Sequence, residues 1–429
     1  MNPTAPNSVR DRPTFPLPLA LFLVAVLLTY LAMAIWGLRR EPWHDERHFI
    51  QAATVFGNSP TLDTLRHYEE LAPPLTFVVF GLWGRIVGFS VPLLRILSLM
   101  IAFATALCCF SLFSKLLRND WHAVAAALFV MLNPYMLGAS LFVFTDMPAI
   151  LCEMLVMLAV VSGKPWLLGF SLAGAILCRQ YLVFLTLAVG LLYLFRLVGG
   201  KIRSARRFLV STCLSVVPLV SLMIFWGGIS PQNQVRHQYL GQPLSFHWAA
   251  FSLYVCQVFI YLSPIIVLRW KKFYTKWQYL LLAVLSFGIY WLIPVRASIF
   301  AAGYARLSTV GYFHRCVRVF LTPPYDQIPF AASFAAAIPV LLVLVAELIE
   351  ELRMRSFPNG FLLKVSILSF LVIMPFSYLT WEKYFLPVLP LLVILLLSCA
   401  GPLRSVQAKG EPGAGQPGPG DGRELLTPC

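Results

Sequence analysis

The sequence predicts an all-α polytopic membrane protein, a bundle of about twelve transmembrane helices. Three observations predict it. Of 429 residues, 59% are hydrophobic and only 12% charged, with a mean hydropathy of +0.78; soluble domains carry about twice that charge. The apolar residues come in runs of about 17–24, the length a helix needs to cross roughly 30 Å of hydrocarbon. The runs are continuous and not alternating, so of the two structures that satisfy their backbone in lipid, helices win over a barrel.

Residues 1–15 are polar, with Arg10 and Arg12, and the first span is 17–38. Arg39-Arg40 follow it where a cleavage site needs small residues, so it is expected to be a retained anchor. A polar loop from Arg39 to Pro73 comes next, and within it Glu46 to Phe56 and Thr61 to Glu70 are expected to be short helices on the membrane surface. Residues 75–89 are apolar but interrupted by Gly81, Gly84, Arg85 and Gly88, and read as a short interfacial or re-entrant helix. Further spans are expected at 91–114, 121–139, 146–162, 165–178, 181–197, 208–226, 247–268, 277–294, 328–349, 359–379 and 384–400. Residues 1–400 thus read as one transmembrane domain, whose external loop is 39–90. The Gly- and Pro-rich tail 401–429 cannot bury a core and is expected to be disordered on the cytoplasmic side. No repeat, P-loop, GxGxxG or zinc motif is present.

The net charge of +15 invites a nucleic-acid reading. The basic residues instead gather in short loops between apolar runs, as the positive-inside rule requires, and no nucleic-acid partner is implied. With a cytoplasmic N-terminus, that side holds Arg10, Arg12, Lys115, Arg118, Lys164, the clusters from Arg196 to Arg207 and from Arg269 to Lys276, Arg353, Arg355, Arg404, Lys409 and Arg423. The opposite side holds Arg39, Arg40, Arg47, Arg66, Arg236, Arg296, Arg306, Arg315, Arg318 and Lys383. All the dense clusters fall on the first side, which places both termini in the cytoplasm and the loop after the first span outside. The nine cysteines have no metal-type spacing and imply no disulfide framework.

That external loop opens with Arg40-Glu41-Pro42-Trp43-His44-Asp45-Glu46-Arg47-His48. Adjacent Asp45 and Glu46 suit a general base, a metal site or a salt bridge to neighbouring arginines. Trp43 marks the interface and Pro42 fixes the chain. His44, His48 and His67 share the loop with Asp45, Glu46, Glu69 and Glu70, so a divalent metal is conceivable, but only His44 and His48 have helical i, i+4 spacing and no cofactor is implied. Arg179-Gln180 falls on the same side between two short apolar runs. An arginine at membrane depth needs a partner, and its planar fork suits a phosphate; a snorkelling interfacial arginine is the alternative. Thr145-Asp146-Met147-Pro148 is either an ordinary helix start or a site acid that binds sugar hydroxyls. Glu382-Lys383-Tyr384, His314-Arg315, Arg318 and Arg236-His237 supply further cations that hold a phosphate or substrate, or are solvated loop charges.

This pattern resembles the GT-C glycosyltransferases, which use polyprenyl-phosphate sugars. Arg40-Glu41-Pro42-x-x-Asp45-Glu46 is similar to the signature after the first helix of the dolichyl-phosphate-glucose α-1,2-glucosyltransferase family. Ala72-Pro73-Pro74-Leu75, Leu94-Arg95, Phe144-Thr145-Asp146, Arg179-Gln180, Gly227-Gly228 and Lys383-Tyr384-Phe385-Leu386-Pro387 match in order. The first motif is fairly specific and the others are individually weak. Asp146 stands for a Glu, Lys383 for an Arg and Trp226 where an Asn is expected. Thr-Asp-x-Pro and Pro-Pro-Leu are also similar to bacterial members that modify lipid A or proteins. The resemblance implies inverting transfer of a hexose, glucose in that family, from a polyprenyl or dolichyl monophosphate to an acceptor hydroxyl on a lipid-linked glycan or other membrane acceptor. It further implies Asp45 as base and Glu46 beside it, with Arg179, Gln180 and Lys383 on the donor phosphate; Arg315 and His314, in a loop without a clear match, join that phosphate group on their charge alone. Trp43, His44, His67, Asp146 and Arg236 would line the substrate. The bacterial inner membrane is favoured, with the endoplasmic reticulum membrane as the eukaryotic case. A transporter or flippase of lipid-linked sugars is the competing class; it calls for mid-span charges, of which Glu153 and Lys364 are the clearest, and for internal symmetry, of which none is visible.

Overall fold

The computed structural model describes residues 17–43, 45–117, 119–200, 202–233, 245–298, 308–377 and 379–398. The described residues are helical and contain no strand. The expectations for His44, Arg236, the N-terminal segment 1–15 and the tail 401–429 fall outside them.

The first helix, α1, is Leu17–Gly37. Two short helices follow, α2 (Asp45–Asn58) and α3 (Leu62–His67), close to the expected surface pair. Asp45 and Glu46 form the first turn of α2, where carboxylates complement the helix dipole. Thr61 caps α3 by accepting the Thr64 N–H at 3.1 Å. Helix α4 (Leu75–Val87) has 13 residues, too few to span. Next come α5 (Val91–Leu116), α6 (Asp120–Met131), α7 (Pro134–Leu141), α8 (Asp146–Val161), α9 (Pro165–Cys178), α10 (Val183–Val198) and α11 (Ile202–Trp226). The rest are α12 (Trp248–Leu268), α13 (Trp270–Tyr274), α14 (Trp277–Tyr290), α15 (Tyr312–Phe320), α16 (Ile328–Arg353), α17 (Asn359–Ile373) and α18 (Val388–Ser398).

By length and composition, seven described helices are able to cross a membrane, or eight when α6 and α7 are taken together. This is a multi-pass membrane protein. The expected span 121–139 is broken: α6 and α7 meet at 70°. Asn133 accepts the Tyr135 N–H at 3.0 Å, and Pro134 begins the new helix without an N–H to offer the old one. Four other expected spans are shorter than a bilayer crossing, α8 with 16 residues, α9 and α14 with 14 and α18 with 11. Arg179 ends α9, and a single 3-10 turn over Gln180–Leu182 precedes α10. A second turn, Glu382–Phe385, holds Lys383, so the last helix begins at Val388, after Pro387.

One apolar core runs through α5, α8, α9, α10, α16, α17 and α18, with Ile150, Met154, Leu172, Leu185 and Leu392 fully enclosed. A smaller one lies beneath α2 and α4, where Phe49, Phe56, Tyr68, Phe77, Phe80 and Trp226 meet. There α2 and α4 touch backbone to backbone. A Cβ on Gly81 would meet Ala53 O at 2.6 Å and Gly57 N at 2.7 Å. Only glycine permits that approach, which fixes how α2, and Asp45 at its start, sits on the bundle.

The two ends of the bundle differ. At one, Lys364 bridges Glu347 at 3.2 Å and Glu351 at 2.8 Å, and Lys272 also pairs with Glu347. Arg196, closing α10, donates to Phe357 O just before α17. At the other end, where α9 and α17 finish and α10 begins, the expected site residues gather.

Candidate active site

Glu46 is fully buried, and its carboxylate is occupied on every side. Arg95, equally buried on the first turns of α5, grips it through Nε to Oε1 at 2.9 Å and Nη2 to Oε2 at 2.6 Å. The Val143 N–H reaches Oε1 at 3.1 Å and the Trp43 N–H reaches Oε2 at 3.0 Å. Arg95 Nη1 spends its remaining donors on Gly37 O at 2.7 Å and Arg40 O at 2.6 Å. This pair ties the end of α1, the start of α2, α5 and the strand-like segment after α7 into one joint. Of the two adjacent acids, Glu46 is the one buried against an arginine. Trp43 lends it a backbone N–H while its indole stays exposed.

Asp45, one residue earlier, points the other way. Its side chain is 57% exposed, and Lys383 Nζ stands 3.1 Å from Oδ2. Burial works against the Lys383 charge, but Asp45 and Asp146 more than offset it and hold the ammonium above its usual range. Phe144 and Tyr384 rings flank the ammonium at 5.4 and 5.8 Å.

Asp146 is buried at the head of α8. Thr145 before it makes no side-chain cap bond. Arg179 Nη2 donates to Asp146 Oδ2 at 3.0 Å and lies 2.9 Å from Oδ1. Arg179 is therefore paired and not snorkelling. Its Nε is buried and has no hydrogen-bond partner among the described residues. Tyr181 and Tyr384 lie 5.9 and 6.0 Å from its guanidinium carbon.

A further carboxyl completes the cluster. Burial first, and then the negative charge of Asp45, push Glu70 from an ordinary 4.5 up to about 8, with Arg179 and Lys383 pulling the other way. Its segment is clamped from two sides: Asn233 Nδ2 donates to Tyr68 O at 2.6 Å and Glu70 O at 3.0 Å, and Gln180 Nε2 donates to Leu71 O at 3.1 Å. The sequence marked Glu70 only as one acid of the loop. Asp45, Glu70, Asp146, Arg179 and Lys383 thus share one polar cluster drawn from five places in the chain.

Three residues expected on a donor phosphate have other partners. The Gln180 amide is used by Leu71. His314 is buried, with Nε2 3.0 Å from Asp326 Oδ2 and Nδ1 accepting the Val310 N–H at 3.3 Å. Burial and the nearby Arg318 charge outweigh Asp326 and lower its pKa, so it is neutral at pH 7. Arg315 is exposed, with Nε 3.4 Å from Thr309 Oγ1 in its own loop. What locks this loop is buried Glu382, which accepts Tyr135 Oη at 2.9 Å, Phe313 N at 3.0 Å and His314 N at 3.1 Å. His67 lies apart from the cluster, 3.0 Å from Asp63 on α3. Among the described residues no group of three or more His, Cys, Asp or Glu side chains is placed to hold a metal ion.

An apolar groove of about 420 Å³ runs between α4, α9 and α11. Leu75, Val78, Leu177, Leu222 and Phe225 line it.

No protein-family model matches the chain, and no curated protein matches it. The functional reading therefore rests on these residues and their chemistry.

Proposed function

We propose that this protein is a GT-C-type glycosyltransferase that moves a hexose from a polyprenyl monophosphate to an acceptor hydroxyl at the external face of its membrane. The observation that carries the reading is the pair of buried cations at the external acid: Arg179, with an unspent buried Nε, and Lys383, 3.1 Å from Asp45, share one polar cluster. A separate apolar groove between α4, α9 and α11 offers a lipid chain a place on the same bundle. The resemblance of Arg40-Glu41-Pro42-x-x-Asp45-Glu46 and the positive-inside asymmetry support the class and the orientation.

In this mechanism the acceptor oxygen attacks the anomeric carbon as the bond from that carbon to the phosphate oxygen breaks. The electron pair leaves with the phosphate, and Asp45 takes the acceptor proton. Arg179 and Lys383 hold the charge that grows on the leaving phosphate, so they favour the transition state over the ground state. The Asp45–Lys383 contact gives the step an order. A donor phosphate competes for Lys383, and an Asp45 that loses its ammonium becomes a stronger base. Glu46 acts by fixing the first turn of α2. Asp146 orients Arg179. The shorter helices α8, α9, α14 and α18 would complete a bundle of about twelve membrane segments of the GT-C kind.

The reading is tested by supplying purified protein in lipid with a labelled polyprenyl-phosphate-hexose. Label that leaves the lipid carrier supports it; an intact donor in every acceptor mixture overturns it. An intact donor that crosses the bilayer would favour the transporter class. Glu153, fully buried at mid-helix with neither carboxyl oxygen partnered among the described residues, is the observation on that side.

A further inference from the structure

The hairpin of α2 and α3 carries a second cavity, of about 240 Å³. Buried Ala52 and Tyr68 contribute to its lining. His48 and Gln51 of α2 form one wall, and Asp63 and His67 of α3 with Glu69 form the other. We propose that this cavity binds an uncharged, unphosphorylated sugar ring, the terminal residue of the acceptor. The acceptor role rests on the transferase reading; the preference for a neutral ring does not.

Size is the first argument. Pockets for drug-sized ligands hold about 300–1,000 Å³, so this one suits a single ring. Its chemistry is the second. Tyr68 Oη is already spent on Ala72 O at 2.8 Å, so the residue offers its ring and not its hydroxyl. Around it stand an amide that both donates and accepts, the His48 imidazole, the Glu69 carboxylate, and a His67–Asp63 pair that keeps Nε2 and Oδ2 for a ligand, which together match a polyol whose every hydroxyl can donate. The third argument is charge. No lysine or arginine among the described residues lines the cavity, while Asp63 and Glu69 do. A phosphate, sulfate or carboxylate on the ring would meet like charge.

Position links the cavity to the reaction. His48 follows Asp45 by three residues on α2, so the two share a face. Glu69 adjoins Glu70, whose carboxyl faces Asp45. A ring seated against His48 would lie about one helical turn along α2 from Asp45. The cluster holds the cations Arg179 and Lys383 for a donor phosphate, and the cavity holds none among the described residues.

The test is equilibrium binding by calorimetry with full-length protein in lipid nanodiscs and no donor present. The probes are the methyl glycosides of glucose, mannose, galactose and N-acetylglucosamine, each with its 6-phosphate. At least one neutral glycoside is expected to bind, its 6-phosphate at least tenfold more weakly. Gln51→Ala and His67→Ala are each expected to weaken the neutral probe fivefold or more. Both side chains are exposed, so neither variant threatens the fold. The proposal is overturned if no neutral glycoside binds, if the 6-phosphate binds as well, or if both variants bind like the wild type. Donor cleavage without glycoside binding would defeat this inference alone; glycoside binding without donor cleavage would defeat the transferase reading alone.

Discussion

Lys383 Nζ lies 3.1 Å from Asp45 Oδ2, joining residues 338 positions apart at the mouth of the bundle. The contact makes the two separable by mutation. Asp45→Asn keeps the shape and removes the base, so transfer should fall about 10²–10⁴-fold, with donor binding retained. Lys383→Met should cost about 10²–10³-fold in turnover through the leaving phosphate. If Asp45→Asn transfers at the wild-type rate, Asp45 is not the base.

Arg179 is asked to do two things with one fork. Nη2 serves Asp146, and Nε is left for a ligand. A lysine puts one compact ammonium where the planar fork presents two separate donors in fixed directions. Arg179→Lys should therefore lower kcat/KM for a polyprenyl-phosphate donor about tenfold, equal to about 1.4 kcal/mol, while leaving the acceptor KM in place. A variant whose acceptor KM rises and whose donor kcat/KM does not fall would put the phosphate elsewhere.

The Glu46–Arg95 pair is a joint, and its failure should look structural. Removing one partner leaves a buried charge alone, at about 3–5 kcal/mol. Glu46→Leu alone should thus lower the unfolding temperature in detergent sharply. Glu46→Leu with Arg95→Met should recover only the part due to the lone buried charge, because the Trp43 and Val143 N–H groups and the Gly37 and Arg40 carbonyls stay without their partners. A double variant worse than the single would show that the pair is worth more than the joint it makes.

Gly81 tests how α2 is seated. Its Cβ position lies 2.6 Å from Ala53 O, a backbone atom that cannot turn aside. Gly81→Ala should push α2 from α4 and cost about 1–3 kcal/mol, and because Asp45 heads α2, transfer should fall more than stability alone explains. Activity that tracks only the folded fraction would remove Gly81 from the positioning argument.

These residues also show what was readable from the chain. Apolar run length, a local property, located the seven or eight helices long enough to cross a membrane, whereas the contact of Asp45 with Lys383, 338 positions on, exists only in the folded chain. The sequence placed Asp45 and Glu46 side by side and oriented neither. Their roles part only when α2 packs, since successive helical positions face different neighbours, one toward Arg95 and one toward Lys383. Arg95 carried a signal, an arginine just inside an apolar span that requires a partner. Gln180 and His314 were drawn elsewhere by contacts to Leu71 and Asp326 that only the folded chain brings near. The break at Pro134 was legible in Asn133-Pro134 and was outweighed by the run of apolar residues around it.

Glu70 gives the cluster a pH dependence of unusual sign. In the fold its proton is held up to about 8, against an ordinary 4.5. Between those values the folded protein binds more protons than the unfolded chain, so stability falls as pH rises. The contribution is fully present below the ordinary value and is lost as pH climbs through the folded one. Most paired carboxylates do the reverse. The groups facing Glu70 are Asp45 and Glu69, which oppose its ionisation, and Arg179 and Lys383, which favour it. Glu70→Gln should flatten the unfolding temperature between pH 5 and 8 while the wild type declines across it. Thermal unfolding at half-unit pH steps in one detergent decides the matter; parallel wild-type and Glu70→Gln curves would mean that Glu70 ionises without feeling Asp45.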